Sequence, residues 1–167
     1  MRKVTIALLV VLPLSLSACG GEGGDGDTTF AGDGYSLTYP ADWEELDAGE
    51  ASPDAALLTA FGPGEGLDAL LFEVFEDGSV VDESNIGAFQ EDLAGAVRET
   101  TEGPTRLTVA GLPALRILAH PQPDRRRRVT TVFDGTTMYI FDCGYATDRA
   151  AEMLEGCDLI EESFEID

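Results

Sequence analysis

The sequence predicts an α+β domain in which antiparallel hairpins carry helices on their faces. Three observations point to it. Short runs such as Tyr35–Tyr39 alternate apolar with small polar residues, the period-two signature of a half-buried strand. Asp134-Gly135 separates two such runs, and that dipeptide between strands is a strong hairpin signal. Two stretches instead repeat apolar residues at spacings of three and four, as amphipathic helices do.

In chain order, Tyr35–Tyr39 is the first strand, stopped by Pro40, which has no N–H to give a ladder. Ala56–Phe61 and Ala69–Phe75 follow, the latter placing Leu70, Phe72 and Val74 on one face. Ile86, Phe89, Leu93 and Val97 mark a helix from about Asn85 to Thr100, with Ser84 or Asn85 as its cap and Gly103-Pro104 as its stop. Arg106–Val109, Ala114–His120 and Arg128–Phe133 are further strands, and the Asp134-Gly135 turn leads into Met138–Asp142. Thr147 is positioned to cap a second helix, Asp148–Glu155, which Gly156 is expected to break. Leu159, Ile160 and Phe164 form a last helical turn on the sheet.

The N-terminus is an address. Arg2 and Lys3 precede an almost unbroken apolar run, Val4–Leu16, too short for a permanent membrane span and right for a signal peptide. Leu16-Ser17-Ala18-Cys19 then has the form of a lipobox. Small residues admit the backbone to a signal peptidase, and the Cys19 thiol takes a diacylglycerol by thioether linkage. The diacylglycerol supplies the two acyl chains that stable anchoring needs, and acylation of the new amino terminus adds a third. We expect residues 1–18 to be leader, 19–29 a lipidated Cys and Gly/Asp tether, and 30–167 the folded domain. The protein is then extracytoplasmic and lipid-anchored to the cell membrane.

The 167 residues hold 32 acidic and 10 basic side chains, a net charge of −22 that becomes −24 once Arg2 and Lys3 leave with the leader. Like-charge repulsion makes a phosphate backbone a poor partner, so nucleic acid is set aside. The expected partners are the membrane, through the lipid, and a protein or lipid of the cell envelope. A hydrophobic fraction of 44% excludes a wholly disordered acidic chain.

Few residues invite chemistry. Asp25, Asp27 and Asp33 have calcium-loop spacing at their start, but Thr29, Phe30 and Ser36 occupy positions where an EF-hand needs an oxygen ligand, a glycine and a glutamate. His120 is the sole histidine, beside Pro121 and without a Gly-x-Ser-x-Gly elbow, and is expected to be a loop histidine. No catalytic residue, cofactor or metal ligand is assigned. With Cys19 spent on lipid, Cys143 and Cys157 remain, and leftover cysteines outside the cytoplasm pair. A helix between them returns one over the other, and closing that loop is worth about 3 kcal/mol by chain entropy. Arg125, Arg126, Arg127 and Arg128 form the one reversal of charge. They are either a docking patch for an anionic partner or a hairpin end whose arginines pair with nearby carboxylates and guard an edge strand; the second is expected. Trp43 and Tyr39 are expected to seal the core rather than line a pocket.

Gly34-Tyr35-Ser36-Leu37-Thr38-Tyr39-Pro40-Ala41-Asp42-Trp43 resembles the opening strand of the PsbP-like superfamily, with its aromatic strand, proline and following tryptophan. Gly111-Leu112-Pro113-Ala114-Leu115-Arg116 resembles that superfamily's Gly-x-Pro-Ala turn into a strand, and Asp158–Phe164 its closing Ser-Phe helix. Members include an extrinsic photosystem II subunit, a Ran-binding import factor and LpqN-like actinobacterial lipoproteins. The resemblance implies an antiparallel sheet of about six strands sandwiched between helices, and no enzymatic activity. The function expected is a non-catalytic, membrane-anchored binding or adaptor module of the cell envelope; the alternative is a carrier or sensor of a small hydrophobic or glycolipid ligand. An enclosed apolar cavity would mark the carrier.

Overall fold

The structure, a computed structural model, describes residues 26–49, 55–64, 67–76, 78, 80–82, 84–96 and 100–167, with backbone alone at 92–96, 100 and 101. The leader, Cys19 and most of the expected tether lie outside the described residues. Among the described residues, ten strands and two α-helices follow one another as β1 Thr28–Ala31, β2 Tyr35–Tyr39, β3 Glu44–Leu46, β4 Leu57–Gly62, β5 Ala69–Phe75, α1 Ile86–Ala96, β6 Thr100–Val109, β7 Leu112–Gln122, β8 Arg125–Asp134, β9 Thr137–Ala146, α2 Ala150–Ser163 and β10 Glu165–Ile166.

The strands form two sheets, all of whose pairings are antiparallel: a three-stranded one in the order β1-β2-β10 and a seven-stranded one in the order β3-β4-β5-β9-β8-β7-β6. The chain lays down β3 to β5, crosses with α1 to the far edge, and returns as the meander β6 to β9, which closes on β5. The architecture is thus α+β and antiparallel as expected, but the main sheet has seven strands rather than about six, and a small sheet shares the covering role with the helices. The extra strands have weak signals. β1 uses Thr28 and Thr29, which read as tether, and pairs Thr28 with Tyr39. β3 is Glu-Glu-Leu, held by pairing with β4 and not by apolar alternation.

One sheet face carries the main core. Leu70, Phe72 and Val74 of β5 share it, as their alternation predicts. Across the register lie Cys143, Phe141 and Tyr139 of β9, and α2 covers them with Met153, Cys157 and Ile160. Phe164 is buried beside Phe141 and Tyr139, with ring centroids 5.2 and 5.0 Å away. It packs as expected but in extended backbone just past the helix. Each fully buried Phe or Leu stabilises by about 1.5–3 kcal/mol, so this face holds most of the fold's apolar energy. The opposite face is closed at one end by α1, where Ile86 and Phe89 pack on Leu115, Phe133 and Met138. The side chains of Leu93 and Val97 lie outside the described residues.

Local rules fail in four places. Gly103-Pro104 does not stop a helix but lies within β6, where the register with β7 shifts twice and Gly103 takes φ +100°; a bulge absorbs residues that a regular ladder excludes. Thr147 lies in a 3-10 turn, Thr147–Arg149, and no side chain caps α2. At α1, Asn85 turns its side chain backward, accepting from the Asp82 N–H at 2.8 Å and donating to the Val80 carbonyl at 2.7 Å. Gly156 does not break α2, which runs on to Ser163. A Cβ at Gly156 would lie 2.3 Å from Trp43 Cζ2, so the glycine is there to admit the indole. Helix hydrogen bonds and packing outweigh the roughly 1 kcal/mol that glycine costs a helix.

Gly156→Ala therefore sets a gain of about 1 kcal/mol in helix propensity against overpacking of about 1–3 kcal/mol. Because the indole is buried, we expect a net loss of about 1–2 kcal/mol in urea unfolding, partly recovered when Trp43→Leu is added. The β6–β7 turn offers the opposite case, since Ala110 sits at φ +51° before Gly111 at φ +79°. A two-residue hairpin with both angles positive favours Asn-Gly, so Ala110→Asn is expected to add about 0.5–1 kcal/mol, read as a higher denaturation midpoint.

Candidate functional site

A concavity runs along the outer flank of α2. Pro40 accepts from the Trp43 N–H at 2.9 Å, a tight turn that swings the indole from the end of β2 onto Gly156. Trp43 is only 5% exposed, so it seals the core, as expected, and forms the groove's inner wall. With Pro40, Leu154 and Leu159 it makes an apolar floor in a groove of about 750 Å3. Carboxylates edge this floor: Asp27 and Asp42 on one side, Glu152, Glu155, Asp158 and Glu162 from α2 on the other. Glu152 is paired with Arg149 at 2.7 Å and Asp158 with Arg128 at 2.6 Å. Asp27, Asp42, Glu155 and Glu162 are exposed, and no basic side chain among the described residues pairs with them.

Under α2, Glu161 is almost wholly buried and accepts from Arg116 through one oxygen and from Arg128 at 2.8 Å through the other. Thr130 Oγ1 lies 3.2 Å from the same carboxylate and accepts from Arg116 Nε at 3.1 Å. Arg128, 6% exposed, spans Glu161 and Asp158 while its Nε has no partner among the described residues. Buried charges survive only when paired this closely. The Cys143–Cys157 disulfide forms as expected, joining β9 to α2 with 6.3 Å between the Cα atoms.

Arg125, Arg126 and Arg127 border one shallow depression with Leu67, Pro121 and Asp142, but the four arginines of the run are engaged by different local partners. Successive strand residues face opposite ways, so Arg126 and Arg128 share the α2 face while Arg125 and Arg127 lie on the other, in register with Tyr145, Cys143, Ala146 and Gly144. Arg125 pairs with Asp68 at 3.0 Å and Arg127 forms a two-pronged pair with Asp142. Arg126 donates to the carbonyls of Pro123 and Arg125 at 3.2 and 2.9 Å. Asp68, itself buried, also faces Arg149 at 3.3 Å and accepts from the Ala146 N–H at 2.9 Å. Sequence reasoning passed over Asp68, Asp142 and Glu161, since nothing local distinguishes them among so many acids.

His120 is exposed on β7 and draws no acid or hydroxyl partner among the described residues. Among those residues no group of three or more His, Cys, Asp or Glu is arranged to hold a metal ion, and no helix is long and apolar enough to cross a membrane.

On the face away from α2, Glu73 lies near the Arg127–Asp142 pair. Burial pushes its carboxyl above the ordinary carboxylate value, Asp142 adds repulsion, and Arg127 opposes both. The folded state therefore binds this proton more tightly than the unfolded chain. The penalty for ionised Glu73 is absent below the unfolded value and grows as pH rises through the folded one. Glu73→Gln is expected to raise the denaturation midpoint at pH 7, and that advantage should vanish near pH 3.5. An advantage independent of pH would contradict this account.

No protein-family profile matches the chain, and no curated protein matches it. Solved structures do. The solution structure of the cyanobacterial PsbP protein, CyanoP, from Synechocystis is similar at a TM-score of 0.61 and 20% identity, over 91% of this chain and 99% of that one. LpqN of Mycobacterium tuberculosis, described as involved in cell envelope biogenesis, is similar at a TM-score of 0.56 and 15% identity, over 86% of each chain. A Bacteroides thetaiotaomicron protein is similar at 0.56 and 12% identity, over 83% of this chain and 48% of that one. At such identities the likeness speaks for architecture, and by architecture this chain has the PsbP-like fold.

Proposed function

We propose that the chain is a lipid-anchored extracytoplasmic lipoprotein whose PsbP-like domain acts, without catalysis, as a binding or adaptor module of the cell envelope. The observation that carries this is the order of features at the N-terminus: a 13-residue apolar run, Val4–Leu16, then Ser17-Ala18-Cys19, then a Gly/Asp stretch ending where β1 begins at Thr28. A diacylglycerol on Cys19 and an acylated amino terminus would hold the domain at the membrane. As a Gly-rich coil, the eight residues between Cys19 and Thr28 would span about 14–17 Å. Two further observations support the reading. The buried Cys143–Cys157 disulfide suits an oxidising compartment. LpqN, of like architecture, is described as an envelope-biogenesis protein.

Surface binding is favoured over carriage of a hydrophobic ligand. Phe72, Phe141 and Phe164 fill the core beneath α2, and the groove along α2 is open and edged with carboxylates, which suits protein docking more than a lipid tail. Cys19→Ala is expected to move the protein from the membrane fraction to the soluble extracytoplasmic fraction, followed by immunoblot; unchanged membrane retention would overturn the anchor. Cross-linking of the intact protein in living cells is expected to yield protein adducts, and lipid adducts alone would favour the carrier.

A further inference from the structure

The α2 groove combines an apolar floor with an acidic rim. Its floor is apolar, from Pro40, Trp43, Leu154 and Leu159, and its volume of about 750 Å3 falls within the range of ligand sites, roughly 300–1,000 Å3. Its rim carries Asp27, Asp42, Glu155 and Glu162, all exposed and none paired with a basic side chain among the described residues. Elsewhere the arginines meet acids: Arg116, Arg125, Arg127, Arg128 and Arg149 each pair with a carboxylate. Compensation thus reaches this groove only at Glu152 and Asp158.

Deepening the adaptor reading, on which it rests, we propose that this groove docks a cationic amphipathic segment of a partner protein. Arg or Lys side chains of the segment meet Asp42, Glu155 and Glu162 at the rim, and its apolar side chains cover Leu154 and Leu159. Charge complementarity selects the occupant. An anionic lipid or nucleic acid meets repulsion here, a bare polyamine leaves the apolar floor uncovered, and a neutral apolar chain must desolvate the rim acids without return. Asp27 lies at the end of the tether region and also lines the groove, so docking occurs on the side of the domain where the chain leaves toward Cys19.

The test uses the full mature lipoprotein in neutral detergent and a fluorescent twelve-residue peptide alternating Arg and Leu, with Glu-Leu and Arg-Ser peptides as comparisons. Binding of the Arg-Leu peptide is expected to exceed that of both others and to weaken between 50 and 500 mM salt as rim charges are screened. The triple variant Asp42→Asn, Glu155→Gln, Glu162→Gln is expected to weaken it about tenfold. A charge-matched triple at exposed positions elsewhere, Glu91→Gln, Glu102→Gln, Asp124→Asn, is expected to change it less than twofold. Equal loss in both triples would show bulk charge at work and overturn the proposal, as would equal binding of Arg-Ser and Arg-Leu peptides. Circular dichroism of both triples checks that each is folded. The adaptor reading fails separately: if cellular protein cross-links persist in the rim triple, the adaptor stands and this groove is not its surface, whereas no protein cross-links in the wild type removes the adaptor itself.

Discussion

Everything on the principal face of the sheet depends on how α2 is seated. The helix presents Met153, Gly156, Cys157, Ile160 and Glu161 inward, at spacings of three and four that make one stripe. Each position uses a different force. Met153 and Ile160 supply apolar burial, Gly156 receives the Trp43 ring, Cys157 is bonded to Cys143, and Glu161 meets Arg116 and Arg128. Their magnitudes separate their roles. The fully buried apolar groups, with Phe164, contribute several kcal/mol together, and the disulfide adds about 3 kcal/mol by constraining the unfolded chain. The ion triad contributes little net stability, because desolvation offsets its Coulomb energy. Its consequence is registry: sliding the helix one turn leaves the Glu161 carboxylate and the Arg128 guanidinium buried without partners, at several kcal/mol.

The cost of burying unpaired charge also governs where charge goes in a chain of −22. With so many acids, self-repulsion opposes compaction, and the few arginines do most when they reach acids that the fold buries. Asp68, Asp142 and Glu161 are each buried and each face at least one arginine. The arginines therefore lie inward or along strands, and the surface keeps the surplus of carboxylates. A run of four arginines in sequence accordingly becomes four separate local partnerships in space. Arg128 is buried under α2, while Arg125, Arg126 and Arg127, which border one depression, are each engaged by a local acceptor.

This divides what was legible in the sequence from what was not. Strands with alternation on the main core face, β2 and β5, stand out from residue type alone, as does the β8–β9 hairpin. The disulfide follows from counting cysteines once one is assigned to lipid. Elements held by neighbours were illegible: β3 exists because β4 offers an edge to Glu44–Leu46, and β1 because β2 does the same for Thr28–Ala31. Gly156 misleads for a related reason. As a local signal it ends helices, but its meaning here is set by Trp43, more than a hundred residues away in sequence. Among the groove's residues, Trp43 and Pro40 were visible as a motif, while the rim acids were lost among 32 chemically identical candidates.

Packing decides where the fold leaves open space. An interior site needs volume that side chains decline to fill, and here the space between β9 and α2 is taken by Phe72, Phe141, Tyr139 and Phe164, whose rings meet edge to face and tilted within about van der Waals reach. A disulfide across that same layer resists the separation of helix from sheet that would open it. What the fold leaves unfilled is the outer flank of the same helix, where Trp43 takes the space a side chain at position 156 would need and Leu154 and Leu159 stay partly uncovered. The constraint that closes the core on one side of α2 thus creates the recess on its other side. A surface recess edged by unpaired carboxylates discriminates by charge at long range and by shape only on contact.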